Sequence, residues 1–321
     1  MPSSDRRALR LLASAIAAAV IVGTVTPARA QEQAQGFAAD RLYTSAPGAG
    51  WTVMDDLAMH GGIGGVIAVT AGHAHRLWRV GDGGQRFSLV SDQTSFDVAI
   101  ALTYQRFRFH LGLTSPAQSK GNSGTIGDRA FEGPSLDLAR SPDTLSDARL
   151  GVDVRLLGEA TSALRLGAGA QLIVPSGERA DYVTDGTYRA IGRLLLAADV
   201  GRIAIAAQLG VHVRPLDDAQ TPGSPRGSEL LFGVAAGPRF GVARDTALVV
   251  GPEVFGETAL RAFFGNTTTG VEALLTGRLE RGSDDGPQLR FKVGAGGGLH
   301  PEFGAPAWRT LVSIEISDRA R

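Results

Sequence analysis

Arg149-Leu150-Gly151-Val152-Asp153-Val154-Arg155-Leu156 is the stretch whose pattern decides the fold. Read two residues at a time, Leu150, Val152, Val154 and Leu156 fall on one face, and Arg149, Gly151, Asp153 and Arg155 on the other. A helix would scatter those charges around its circumference, whereas a strand gathers them on one side. Working outward, the same split recurs in Phe107, Phe109, Leu111 and Leu113 against Arg106, Arg108, His110 and Gly112. It returns in Ile203, Ile205, Leu209, Val211 and Val213 against Ala204, Ala206, Gln208, Gly210, His212 and Arg214. The pattern yields twelve candidate strands, near 63–74, 86–104, 106–114, 147–157, 163–174, 188–200, 202–214, 228–240, 246–256, 270–280, 288–299 and 307–317. At roughly 3.3 Å per residue and a tilt of about 40°, ten residues rise ~25 Å, the height of an outer-membrane apolar band. The second candidate is longer, which predicts a protrusion or a bulge at Asp92-Gln93.

The connections alternate in length. Short turns near Tyr104-Gln105, Gly158-Glu159, Gly201, Val242–Asp245 and Gly282–Pro287 follow even-numbered strands, and longer loops near 75–85, 115–146, 175–187, 215–227, 257–269 and 300–306 follow odd-numbered ones. An up-and-down barrel with both ends on one side of a membrane has this parity, and a β-sandwich has no reason to keep it. The polar faces are rich in small residues, among them Gly151, Gly167, Gly169, Gly233 and Gly294. Such residues suit a crowded interior better than a solvated face, which would carry lysine, glutamate and threonine. The fold class expected is therefore all-β: a transmembrane antiparallel up-and-down barrel of about twelve strands over 63–317, apolar side outward.

The rest of the chain fits an exported protein. Arg6, Arg7 and Arg10 precede an apolar run from Leu11 to Val25, and Ala28-Arg29-Ala30 offers a peptidase site. Residues 1–30 thus read as a signal peptide cleaved after Ala30, and export together with the barrel pattern predicts the outer membrane of a Gram-negative cell as the destination. Residues 31–62, broken by Pro47-Gly48 and Gly61-Gly62, read as a periplasmic lead-in, and 318–321 as a tail. Removing residues 1–30 leaves 28 basic and 31 acidic residues, a near-neutral product with no electrostatic footprint for nucleic acid. The chain has no cysteine, which excludes disulfides and thiolate metal sites.

With polar faces inward, the lumen-lining candidates are Arg108, His110, Asp153, Arg155, Arg165, Arg193, Asp199, His212, Glu229, Arg239, Glu253, Glu272, Arg278, Arg290, Lys292, Arg309 and Glu315, with Gln171 and Gln208 among them. Both signs are interspersed, which suits either an ion-pair network filling the barrel or a charged lining that selects small polar solutes. Chemical motifs are sparse. His73 and His75 could face the same way, but no carboxylate or third histidine is near them in sequence, so no metal or cofactor is assigned. No serine stands in strand register with His110 or His212, so no catalytic residue is assigned and no enzyme is expected. Gly294-Ala295-Gly296-Gly297-Gly298 lies inside a strand pattern with no following helix, which argues against a phosphate loop.

Several stretches carry a family likeness: Gly36-Phe37-Ala38-Ala39-Asp40-Arg41, Ser146-Asp147-Ala148-Arg149-Leu150-Gly151, Val174-Pro175-Ser176-Gly177, Gly227-Ser228-Glu229-Leu230-Leu231-Phe232-Gly233 and Gly251-Pro252-Glu253. In their order and spacing the chain resembles the N-terminal barrel of outer membrane protein A-like proteins of myxobacteria and related deltaproteobacteria. The resemblance spans most of the expected mature chain and implies an outer-membrane location with a structural or transport role. It brings no catalytic residues. Such proteins commonly continue into a peptidoglycan-binding domain, which this sequence lacks, so wall anchoring is not expected. The ending also lacks a terminal aromatic, which leaves two expectations: that Ile314 and Ile316 carry the signal for the barrel assembly machinery internally, or that the chain is a shortened relative of such proteins. The expected partners are outer-membrane lipid, that machinery and small polar solutes, with a structural or passive-diffusion role. The competing reading is a soluble periplasmic or surface-associated β-protein that binds a ligand or partner.

Overall fold

In a computed structural model, residues 32–318 are described apart from 82, 83, 85, 141–143, 217–226, 283–286 and 302. The expected signal peptide and its cleavage site lie outside the described residues. Twelve antiparallel strands form one closed barrel: β1 (Ile63–Gly81), β2 (Arg86–Tyr104), β3 (Phe107–Lys120), β4 (Ala148–Leu157), β5 (Leu164–Val174), β6 (Arg189–Val200), β7 (Ile203–Val213), β8 (Glu229–Ala243), β9 (Thr246–Ala259), β10 (Thr269–Arg281), β11 (Gln288–His300) and β12 (Trp308–Ser317). Each pairs with its neighbours in sequence, and β12 pairs with β1 from Trp308 opposite His75 to Ser317 opposite Val66. That last ladder leaves no free edge, as a lipid-exposed sheet requires.

The faces divide as the period-two reading predicts. Leu194 is 63 % exposed, Leu275 61 % and Leu209 52 %, whereas Glu253 is 0 % and Arg108 1 % exposed. An exterior of exposed Leu, Ile, Val and Phe around an interior of ionised groups inverts the polarity of a water-soluble protein, and lipid is the solvent that rewards it. Tight turns carry the short connections. Val200 pairs with Ile203 across Gly201-Arg202, and the φ of +62° at Gly201 is one that a residue without Cβ adopts at no steric cost.

Three features depart from the sequence expectation. Strand β1 runs on to Gly81 instead of ending near 74, because Leu77, Trp78 and Val80 pack against Leu89 and Val90 to form a protruding hairpin. The irregularity expected at Asp92-Gln93 falls beside it: the β1–β2 register shifts between His75 and Trp78, where Arg76 has φ 52°, and the β2–β3 register shifts between Thr94 and Ser95. Strand β3 continues to Lys120, and within the long loop after it residues 135–137 pair back onto its end. This loop, the β1–β2 hairpin and residues 179–182 meet in an apolar cap built on Phe37, Trp78, Phe131, Tyr182 and Phe303.

The segment before β1, read from sequence as a lead-in, runs through the barrel in its described part. At the long-loop end Ala34 N–H donates to Ala130 O (2.8 Å) and Ala39 N–H to Tyr182 O (3.0 Å). At the short-turn end Arg155 holds the carbonyls of Leu57 (3.1 Å) and Met59 (2.6 Å). Between them Trp51, Met54 and Leu57 are fully buried. Residues 33–62 are thus a plug.

Candidate functional site

The site is the lumen together with the plug that occupies it. Alternation along each strand turns every second residue inward, and the register of neighbouring strands sets these side chains side by side. Arg108 and Asp153 face each other across β3 and β4, and Arg193 on β6 reaches Asp153 (2.9 Å) over Gly169 of β5. A Cβ at Gly169 would stand 2.2 Å from the Asp153 carboxylate, so this glycine keeps the bridge open. Gly167 and Gly233 do the same for the plug, whose Leu57 and Met54 fill the space a Cβ would take.

Wall charges hold the plug by polar contacts. Glu253 accepts the backbone N–H groups of Thr52 (2.9 Å), Val53 (2.9 Å) and Met54 (3.1 Å), so three otherwise buried donors converge on one carboxylate. Asp55 pairs with Arg108 (2.5 Å), Asp56 with Arg278 (3.2 Å), and Lys292 donates to Trp51 O (3.1 Å). Glu315 takes Lys292 (2.5 Å), Arg290 (2.9 Å) and the Gly48 N–H (3.2 Å). Arg165 bridges Asp56 O (2.9 Å) and Asp199 (2.7 Å) near the short-turn rim. Buried charges are tolerable only when paired and hydrogen-bonded.

Two clusters occupy the long-loop half. In the first, Arg214 bridges Asp185 and Glu229 (2.6 Å each), Arg189 joins Asp147 (2.6 Å) to Asp185 (3.7 Å), and Arg41 of the plug faces Glu229 (3.2 Å) and Glu257 (3.6 Å). In the second, Arg309 holds Glu272 (3.0 Å) and the plug's Asp40 (2.7 Å). Asp185, on the loop after β5, also accepts the Ala38 N–H (2.9 Å). Burial alone would raise its pKa; the guanidiniums of Arg214, Arg189 and Arg41 outweigh that and hold it well below the usual carboxylate range.

Of the seventeen lumen candidates named from sequence, Arg239 is exposed where β8 runs past the short-turn rim, and Asp199 is partly exposed; the other fifteen lie inside. His110 lies 3.7 Å from Asp153. The sequence reading missed the plug's Asp40, Arg41, Asp55 and Asp56, which have no period to reveal them, and Glu257, which it left in a loop although β9 extends to Ala259. His73 and His75 face outward at the long-loop end. The carboxylate absent from their sequence neighbourhood comes from β2: Asp92 lies 2.7 Å from His75, and Trp308 stacks on the same imidazole.

The plug leaves a cavity of about 100 Å³ beside β1–β3, lined by Thr70, Gln93, Ser95, Asp97, Thr114 and Arg149. At about 10–15 Å³ for one water, this is room for several. Arg149 and Asp97 pair across it at 2.7 Å, and Arg149 also reaches the Thr44 hydroxyl of the plug (3.0 Å).

No known family profile matches the chain, and no curated protein matches it. Among solved structures it is similar to the COG4313 outer membrane channel from Pseudomonas putida F1, with 16 % identity, a TM-score of 0.51, and 80 % of this chain covered against 95 % of that one. A more distant match is the NanC porin, with 6 % identity, a TM-score of 0.47, and 79 % and 99 % covered. The fold is that of outer-membrane β-barrel proteins. The narrower likeness to outer membrane protein A-like barrels finds no counterpart in these matches.

Proposed function

We propose that the protein is an outer-membrane channel for passive diffusion of small polar solutes through a narrow lumen that its own N-terminal segment constricts. The observation that carries this reading is the polar cavity, with room for several waters, left between the plug and β1–β3, with the Arg149–Asp97 pair across it. The COG4313 protein of the same fold is described as an outer membrane channel. On this reading the chain is exported by residues 1–30, inserted by the barrel assembly machinery, and surrounded by outer-membrane lipid along its apolar exterior. The lining charges would disfavour apolar solutes, and the cavity's size would limit passage to small ones.

A purely structural role has one observation in its favour, the dense ion pairing that fills the lumen. Conductance in planar bilayers separates the two. The native protein is expected to give small steps, and Glu253→Gln, which loosens the plug, larger ones. If both barrels fold, shown by heat-modifiable migration, and both are electrically silent, the structural role stands and the channel reading fails.

A further inference from the structure

Glu229 and Glu257 of the first lumenal cluster, together with His212 beside them, form a group that ion pairing leaves incomplete. His212 ends the inward row of β7, Glu229 begins β8 directly opposite it, and Glu257 stands on β9 opposite Leu231. His212 and Glu229 are 0 % exposed and Glu257 4 %. His212 Nδ1 lies 3.5 Å from Glu229 Oε2 and 3.6 Å from Glu257 Oε2, too far for hydrogen bonds. Among the described residues, none of these three atoms has a hydrogen-bond partner. The other Glu229 oxygen, Oε1, is occupied by Arg214 (2.6 Å), which fixes the carboxylate with Oε2 aimed at the histidine. Tyr43 of the plug sets its ring edgewise to the imidazole, with 5.2 Å between centroids, and holds it in that orientation.

We propose that His212, Glu229 and Glu257 bind one divalent transition-metal ion between the barrel wall and the plug. Donors about 2.1 Å from a tetrahedral metal stand roughly 3.4 Å apart, close to the separations here. One imidazole and two carboxylates form a donor set suited to zinc and its neighbours in the first transition row. Charge points the same way. Among the described residues, the two long-loop-half clusters together carry six carboxylates against four guanidiniums, and Glu257 and Glu272, one from each, line the same small cavity. A divalent cation cancels the two excess negative charges. It would also tie β7, β8 and β9 together directly beneath Arg41 and Tyr43, fixing the plug's position; Tyr43 lines the cavity beside β1–β3, but none of the three ligands does. The site does not depend on whether the lumen conducts.

The test uses the full-length barrel in detergent, stripped with a chelator, loaded with Zn²⁺ and analysed by equilibrium dialysis and atomic emission. About one ion per chain is expected. His212→Gln and Glu257→Gln should each weaken binding by more than about tenfold, with heat-modifiable migration confirming that the barrel is folded. The double variant His73→Gln/His75→Gln controls for the external histidines and should bind as the native protein does. Cobalt in place of zinc supplies a second readout on the unmutated chain, a visible absorption band that zinc displaces. No ion on the native barrel, or one that persists in folded His212→Gln and is lost in the His73/His75 variant, overturns the proposal.

Discussion

Glu253 shows how much of the lumen depends on one side chain. It is wholly buried, yet its charge is met chiefly by three backbone N–H groups of the plug turn at 52–54. Glutamine in its place keeps the shape but turns an NH₂ group toward one set of donors, leaving them without acceptors. Hydrogen bonds to an ionised group contribute about 1.5–3 kcal/mol each, so Glu253→Gln should destabilise the plug by about 2 kcal/mol while sparing the wall. Amide exchange at Thr52–Met54 should rise by roughly thirtyfold, with the strand amides unchanged. Unaltered exchange at 52–54 would mean that the plug is held elsewhere. The inward orientation of Glu253 was legible from the sequence alternation, but its partners were not. The glycines of the polar faces were likewise legible as signs of crowding. What crowds Gly167 and Gly233 is Leu57 and Met54, from a stretch with no periodicity to announce it.

Among the elements, strands were legible almost to the residue because alternation is a local signal; their extensions past the apolar belt were not. Leu77, Trp78 and Val80 continue β1 because a cap made by distant loops buries them, and that information is spread over the whole chain. The loop after β5 is a second case: Asp185 ties the plug's Ala38 to Arg214 at the end of β7. A carboxylate held below its usual pKa stabilises the fold fully above its unfolded value of about 3.9, and loses that contribution as pH falls through the depressed folded value. The outer end of the plug should therefore stay docked from neutral pH down to about 4 and fray in stronger acid. Exchange at Ala38 and Ala39, corrected for intrinsic rate, measures this. Asp185→Asn should fray at neutral pH and show no acid transition, and an acid transition retained in that variant would assign the effect to another group.

The barrel as a unit is inside out relative to a soluble protein, and both halves of that inversion need each other. The charged interior is tolerable because, among the described residues, wall and plug bring most charged groups into ion pairs. The exposed apolar exterior is tolerable only against lipid. Neighbouring residues on one strand should then differ sharply in their tolerance of an introduced charge. Leu209, 52 % exposed near the middle of β7, faces the bilayer, so Leu209→Arg should cost about 2–4 kcal/mol for folding into lipid vesicles. One position earlier, Gln208 points inward, where its Oε1 lies 3.5 Å from an Arg193 nitrogen. An added guanidinium there would meet like charge, but Gln208→Glu would give Arg193 a second carboxylate beside Asp153 and should be nearly neutral. Titrating both variants from urea into vesicles reads the difference directly. Equal losses would mean that the exterior is not lipid-facing, and the soluble alternative would then have to explain a closed barrel with a charged interior.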